Sequence, residues 1–297
     1  MQGYSRFRFS VLLIAIFLCS CSDTEKKQVI DVTAKDFSFQ MEEDIPSGWS
    51  TFNFINSGHA PHFFLLHKLP DSVSFERYQE DVSKPFEMVL DSLNAGMTKD
   101  KGIQLLISSI PPYYATSIKQ MGGTGIIDPM MSEQVTLKLE PGNYVMECYI
   151  KEKGVFHTEL GMTRPVTVNS EISEMQPPEP NINITLSNYK YEIEGQVEQG
   201  SNTIAVHFKE HPEQGLGNDI HLIKINDSSD IEKAIDWLDW MNIKGLEPPA
   251  PVKFLGGVQE MPVGNTAYFT VDIEPGHYAW IAESSAAKGM IKEFTVE

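Results

Sequence analysis

Apolar and polar residues alternate with a period of two along most of this chain. Val135, Leu137 and Leu139 share one side of such a run, and Phe52 and Phe54 share one side of another. This period is typical of half-buried β-strands, and Pro-Gly pairs such as the one in "EPGNY" separate the runs. The pattern predicts an all-β protein with many short strands.

Two segments depart from this alternation and predict helices. In "SSDIEKAIDWLDWM" Ser229 stands three residues before Glu232, which is the spacing of a capping box. The apolar positions after it recur at helical spacing: Ile231, Ile235 and Leu238. Phe75–Leu93 is the expected counterpart in the first half. Many strands with so few helices predict two antiparallel, Greek-key β-sandwiches, each with one helical insert.

Three stretches occur twice in the same order, which predicts a tandem duplication. "GGTGIIDPMMSEQVTLKLEPGNY" (122–144) matches "GGVQEMPVGNTAYFTVDIEPGHY" (256–278) in length and ending, and "GMTRPVTV" (161–168) matches "GMIKEFTV" (289–296). Upstream, 36–54 matches 188–208 in its aromatic alternation and glycine turn. We therefore expect one domain at 30–169, an acidic, proline-rich linker at 170–180 and a second domain at 181–297.

The first residues predict a secretory signal peptide, residues 1–20. Arg6 and Arg8 precede a short apolar run that is well below the ~20 residues needed to span a bilayer. The following "LCSC" resembles the bacterial lipobox, which implies that Cys21 carries lipid and that 21–29 is a tether; an ordinary signal with cleavage nearby is the alternative. Ser22 after this cysteine favours the outer membrane. We expect a lipid-anchored protein of the bacterial cell envelope that faces the periplasm or the cell surface.

Net charge and cysteine count limit the partners and the redox chemistry. A formal charge of −18 argues against nucleic acid or anionic lipid headgroups as the main partner. Of the three cysteines, Cys19 would leave with the signal and Cys21 would carry lipid. Cys148 is then the one thiol of the mature domains. A free thiol in an oxidising compartment has to be buried or bound to a metal.

The first domain resembles the cupredoxins, the small blue-copper sandwiches. Gly142, Tyr144 and Cys148 follow their G-x-Y-x-x-x-C signature, "GMTRPVTV" matches their closing strand, and "NSGHAPH" (56–62) matches their asparagine-to-histidine turn. The resemblance implies one copper ion bound by a thiolate, two imidazoles and a thioether, a set that suits both oxidation states. The implied ligands are His62, Cys148, His157 and Met162.

The interval between two of these ligands is longer than in the cupredoxin pattern. Eight residues, "YIKEKGVF", separate Cys148 from His157, and their charge and Gly154 predict an exposed excursion. A three-ligand site, a site that favours reduced copper and a site without metal remain alternatives. Within "YVMECYI", period two directs Cys148 inward and Glu147 to the wet face.

Several other residues have a simpler structural interpretation. His59 is expected as a turn residue, with a supporting or alternative ligand role as the second choice, and His67 should point away because its strand parity is opposite to that of His62. "PPYY" (111–114) is expected as a rigid loop. Trp237 and Trp240 are expected to pack, and Met130 and Met131 are expected to pack or to lie at the surface.

The second domain should not bind copper. Ala282 aligns with Cys148 and Asn218 with His62, and no histidine lies between Ala282 and Met290. The leading hypothesis is a copper protein for electron transfer or copper carriage, with a redox or copper-handling protein as partner. The rival is a copper-free envelope module that binds through its loops. An enzyme is not expected, because a phosphate loop, a nucleophile elbow and an orienting partner for a Cys148–His157 pair are all missing from the sequence.

Overall fold

The computed structural model describes residues 29–42, 44–213 and 216–297. The predicted signal peptide and Cys21 lie outside these residues, so lipidation and the position of the anchor stay predictions. No helix in the described ranges is both long enough and apolar enough to span a bilayer.

Residues 29–172 form the first unit. Its strands are β1 Val29–Lys35, β2 Ser38–Gln40, β3 Asp44–Asn56, β4 Leu65–Lys68, β5 Lys119–Gly123, β6 Ser132–Leu139, β7 Gly142–Glu147, β8 Lys151–Glu152, β9 Val155–Phe156 and β10 Thr163–Ile172. One layer contains β1, β2, β6 and most of β3; the other contains β5, β4, β7 and β10. The start of β3 also pairs with β10, so this long strand joins both layers. The unit is a β-sandwich, as predicted.

Residues 182–296 repeat this arrangement. The strands are β11 Ile182–Ser187, β12 Lys190–Glu194, β13 Gly200–Glu210, β14 Ile220–Ile225, β15 Lys253–Val258, β16 Thr266–Ile273, β17 Gly276–Ile281 and β18 Ile291–Val296. β12, β11, β13 and β16 form one layer, and β15, β14, β17 and β18 form the other. Most pairings are antiparallel, whereas β1–β3, β3–β10 and β11–β13 are parallel.

The two units share one continuous sheet. β16 pairs antiparallel with β6, with Phe269 opposite Val135. Because this pairing uses strand edges that would otherwise be free, it covers both edges and joins the two sandwiches through backbone hydrogen bonds. Further backbone hydrogen bonds run from Gly125 to Gly257 (2.9 Å) and from Gly256 to Ile126 (3.0 Å).

The helical insert of the first unit is larger than predicted. The helix expected at Phe75–Leu93 is present as α1 Phe75–Tyr78, a π-helical turn Gln79–Ser83 and α2 Lys84–Asn94. Two more helices follow, α3 Lys99–Ser109 and α4 Pro112–Ser117. The prediction of a rigid loop at "PPYY" was therefore wrong. Pro112 stands in the first turn of α4, where a missing backbone N–H costs nothing.

The helix of the second unit is α5 Ser229–Leu238, with its apolar face buried. The predicted capping box is absent, because Ser228 rather than Ser229 is the N-cap residue and it makes no side-chain cap hydrogen bond. Asp230 instead accepts a hydrogen bond from the backbone N–H of Asn226 (2.9 Å). The carboxylate in the first turn thus supports the helix start, in place of the serine hydroxyl.

Candidate metal centre

Cys148 directly follows strand β7, which is paired with β4 on one side and with β10 on the other. Its backbone N–H donates to the carbonyl oxygen of Met162 (3.1 Å), and its side chain is fully buried. The prediction that Cys148 points inward is confirmed. The alternating residues of this segment all lie in the core: Tyr144, Met146, Cys148 and Ile150.

The asparagine side chain of "NSGHAPH" shapes the turn that presents His62. Asn56 Nδ2 donates to the carbonyl oxygens of Ala60 (2.9 Å) and Ile127 (3.1 Å), and its Oδ1 accepts from the N–H of Gly58 (3.0 Å). His62 then exchanges two backbone hydrogen bonds with Ile127. With its amide fully used inside the turn, Asn56 fixes the backbone from which His62 projects.

The segment between Cys148 and His157 is not the exposed excursion predicted from its charge. β8 and β9 pair as a short hairpin, which satisfies backbone groups within the excursion, and Ile150 and Lys151 are fully buried. The backbone N–H of His157 donates to the carbonyl oxygen of Ile150 (2.7 Å), which closes the hairpin and returns His157 to the strand end. Only the tip around Lys153 is strongly exposed.

Lys151 anchors this hairpin to the second unit. Its Nζ donates to the carbonyl oxygens of Trp240 (2.9 Å) and Asn242 (2.8 Å). Its backbone N–H donates to the carbonyl oxygen of Leu246 (2.8 Å). Burial lowers the pKa of Lys151 to about 8. This role could not be found from the sequence, since a lysine in a charged loop predicts an exposed side chain.

The three strongest candidate ligands converge. Cys148 Sγ lies 3.8 Å from His62 Nδ1 and 3.9 Å from His157 Nδ1, and the three donor atoms all lie within 4.8 Å of one another. Bond lengths typical of zinc, about 2.3 Å to sulfur and about 2.0–2.1 Å to nitrogen, place such atoms about 3.8 Å apart at a trigonal angle. The observed separations therefore leave room for one ion of this size between the three atoms.

Met162 lies beside this group. Its backbone N–H donates to the carbonyl oxygen of His157 (2.7 Å), its own carbonyl accepts from Cys148, and its side chain is fully buried. Two imidazoles, one thiolate and a nearby thioether are the donor set of blue-copper centres. His62, Cys148, His157 and Met162 together fit a type-1 copper site.

Burial sets the protonation of the three donors. It lowers the pKa of His62 to about 4 and that of His157 to about 3, so both imidazoles are neutral and keep a lone pair for a metal. It raises the pKa of the Cys148 thiol to about 12, although the backbone N–H groups of Phe63 and Ile150 oppose this shift. A metal ion has to displace the thiol proton, which makes metal binding pH-dependent.

Three neighbouring residues differ in how they relate to the site. His59 is 65% exposed at its side chain and lies outside the group of converging donors. His67 points away as predicted, and its Nε2 lies 2.9 Å from Glu147 Oε1. Phe37, in the turn between β1 and β2, packs edge-on against His157 at 4.8 Å between ring centroids, and the sequence gave no sign of this contact.

The prediction that Glu147 lies on a wet face was wrong. Its side chain is almost fully buried and accepts hydrogen bonds from His67 and from the hydroxyl of Tyr78 (3.1 Å). The helical insert and the second unit cover this face of β7, so both faces of the strand are buried. Period two alone cannot distinguish a solvated face from one covered by a later part of the chain.

The corresponding position of the second unit has the same backbone and different side chains. The N–H of Ala282 donates to the carbonyl oxygen of Met290 (3.3 Å), as that of Cys148 does to Met162. Asn218 is held in hydrogen bonds: its Nδ2 donates to the carbonyl of Asn188 and its Oδ1 accepts from Ser285 (2.9 Å). Neither a thiol nor an imidazole occupies these two positions.

Among solved structures the chain is similar to reduced auracyanin from Roseiflexus castenholzii (20% identity, TM-score 0.29, 48% of this chain and 96% of that chain). It is also similar to auracyanin A, a "blue" copper protein from Chloroflexus aurantiacus (17%, 0.30, 48% and 98%), and to a multicopper oxidase (13%, 0.23, 91% and 88%). No family profile and no curated protein matches the sequence.

Proposed function

We propose that the first unit binds one copper ion through His62, Cys148, His157 and Met162 and uses it for one-electron transfer or copper carriage. The observation that carries this proposal is the convergence of Cys148 Sγ with Nδ1 of both histidines at 3.8 and 3.9 Å. These atoms come from a turn, a strand end and the end of a hairpin, and His62 stands 86 positions before Cys148 in the sequence. Their common focus is difficult to explain by core packing alone, because two neutral imidazoles and a thiol gain little from facing each other.

When bound, copper would supply a reversible one-electron couple. The protein would hold the donors in place and exclude water: His62 is only 2% exposed, and Cys148, His157 and Met162 are fully buried. Each ligand is fixed by backbone hydrogen bonds to a neighbouring ligand or to Ile127. A rigid set of ligands keeps nearly the same geometry in both oxidation states of copper, which favours fast electron transfer. The same burial restricts access of organic substrates and favours transfer or carriage over catalysis.

The first experiment is copper loading of the protein produced without residues 1–21. Addition of copper(II) should give one bound equivalent after dialysis, with an intense thiolate-to-copper charge-transfer band in the visible spectrum. Cys148→Ser should abolish the band. Ala282→Ser, at the equivalent place in the second unit, is the matched control and should leave the band intact.

Two results would contradict this proposal. Retention of zinc with no colour and no copper would assign the donors to a different ion. Failure of any metal to remain on the protein would favour the rival hypothesis, a copper-free binding module in which Cys148 only packs the core.

We propose further that lipid on Cys21 holds the protein in the bacterial envelope, on the outer membrane. We also propose that the second unit arose by duplication of the first. The paired contacts support the duplication: Tyr144 donates to the Glu140 carbonyl and Tyr278 to the Glu274 carbonyl, both at 2.7 Å. Lys68 and Lys224 pair with the same two glutamates. Mass spectrometry of the protein from membranes, with a Cys21→Ala control, would test the lipid.

A redox or copper-handling protein would be the partner, and we propose no role for nucleic acid. Cross-linking of the copper-loaded protein in intact cells should capture a partner from the envelope. A partner that binds the Cys148→Ser variant equally well would speak against a role for copper in recognition.

A further inference from the structure

A cavity lies against Glu147 and Tyr149, the two neighbours of Cys148, on the face of the chain that points away from the candidate ligands. It lies between the helical insert and the second unit, and its cavity volume is about 100 Å³. An engineered cavity of ~150 Å³ holds benzene, so this cavity suits only a small organic molecule. None of the four candidate copper ligands lines this space.

Three glutamates line the cavity: Glu147 from the first unit, and Glu260 and Glu283 from the second. Within the described ranges no lysine or arginine lines it, and none forms an ion pair with these carboxylates. Glu283 accepts from the Tyr149 hydroxyl (3.0 Å), and Glu260 accepts from the N–H of Gly217 (3.0 Å). Burial raises the pKa of Glu260 to about 7 and that of Glu283 well above its usual range. His67 is the one basic side chain in the described ranges that lines the cavity, and its Nε2 lies 2.9 Å from Glu147 Oε1, which leaves Glu260 and Glu283 without a paired cation.

Aromatic rings that contact one another form a wall of the same cavity. Trp240 contacts Phe86 (5.6 Å between centroids) and Phe156 (6.0 Å), and Phe86 contacts Tyr114 (6.2 Å). Aromatic faces attract cations through their quadrupole, and such walls recognise ammonium groups in particular. An apolar void would need the rings but not the carboxylates, and a structural ion cluster would need the carboxylates but not the rings.

We propose that this cavity is a binding site for a small organic cation that carries an ammonium group. Binding of the cation would favour the ionised form of Glu260 and Glu283, with release of their protons to solvent, and the resulting carboxylates would neutralise its charge. The Trp240 wall would contact its alkyl groups. Because both units contribute carboxylates and aromatic rings to the lining, the site exists only when the two units are joined as observed. This inference does not depend on copper.

The cavity also lies next to the two central metal-site residues. Glu147 and Tyr149 flank Cys148 in the sequence, Phe156 and Thr158 flank His157, and all four line the cavity. A bound cation would therefore lie against the backbone neighbours of both residues. If the first unit binds copper, as proposed above, occupancy of the cavity should change the position of the charge-transfer band.

The test is calorimetric titration of the copper-free protein with choline and with the neutral carbon isostere of choline, in which a tert-butyl group replaces the trimethylammonium group. We expect choline to bind at least roughly tenfold more tightly than the isostere. Glu260→Gln and Glu283→Gln should each weaken choline binding by roughly tenfold or more. Glu274→Gln, at an exposed glutamate of the same unit, should leave it unchanged.

Three results would overturn the proposal. Equal binding of choline and its isostere would make the cavity a neutral apolar pocket. Absence of binding by choline and by 2-phenylethylammonium, while the protein melts normally, would make it an empty packing defect. Binding of zinc or manganese that blocks choline and is lost in Asp219→Asn would assign the charge to a metal site, because Asp219, His221 and Glu283 also lie within 4.8 Å of one another. Circular dichroism of each variant checks that it folds.

Discussion

The two buried histidines of the metal centre should make the copper-free protein sensitive to mild acid. The folded-state pKa values of His62 and His157 are lowered from 6.5 to about 4 and about 3. The unfolded chain therefore takes up protons below pH 6.5 that the folded chain cannot accept. The free energy of unfolding is therefore unaffected by these histidines at neutral pH, and it decreases as the pH falls from 6.5 towards 4.

The size of this loss follows from the unfolded-state pKa alone, because pH 5 still lies above both folded-state values. Between about pH 7.5 and pH 5 each histidine removes about 2 kcal/mol from the free energy of unfolding, so the pair removes about 4 kcal/mol. That is a large fraction of the ~5–15 kcal/mol by which domains are stable. Bound copper should suppress the effect, because a donor nitrogen that ligates a metal cannot accept a proton.

Urea unfolding of the copper-free protein, in chelator, at these two pH values measures the loss. The double variant His62→Gln/His157→Gln should lose about 4 kcal/mol less than the wild type over the same interval. The comparison uses the change with pH, so a general destabilisation by the substitutions cancels. His277→Gln, at an exposed histidine, is the control. An equal loss in the wild type and the double variant would refute the reasoning.

Three further predictions concern residues around the site. Lys151→Met should lower the free energy of unfolding, measured by denaturation, by about 2–4 kcal/mol, because two buried carbonyl groups lose a charged donor. The same variant should lose copper to a chelator faster. Lys153→Met, at an exposed lysine of the same hairpin, should change neither quantity. Met162→Leu should raise the reduction potential in redox titration with under about 1.5 kcal/mol loss of stability, whereas the equally buried Met290→Leu should leave the potential unchanged. Glu147→Gln should cost about 1–3 kcal/mol in the same unfolding assay and keep the copper band, since its carboxylate faces away from the ligands; loss of the band would contradict this.

The sandwich class could be predicted because strand periodicity is local. Alternation at Phe52 and Phe54 and at Val135 and Leu137 is matched by full burial of these residues. The helix at Phe75 was also visible in the sequence. The helix at Pro112–Ser117 was not, because "PPYY" has strong turn signals and no helical period.

The candidate ligands came from the resemblance of two motifs to the cupredoxin pattern, which could be seen because the spacing within the Asn56–His62 turn and between His157 and Met162 is local in the sequence. What covers each face of a strand is set by distant parts of the chain. Glu147 illustrates this limit: its alternation was interpreted correctly, but its partners His67 and Tyr78 come from another strand and from the insert. Only the fold brings them together.

The long interval between Cys148 and His157 is compatible with a rigid metal centre for a physical reason. A free loop of this length would lose conformational entropy each time it closed on an ion, about 1–2 kcal/mol for each residue that becomes ordered. Here folding has already ordered the segment, because β8 and β9 pair with each other and Lys151 donates to the second unit. The second unit thus holds this segment in place through Lys151, and His157 Nδ1 lies 3.9 Å from Cys148 Sγ in the protein without metal.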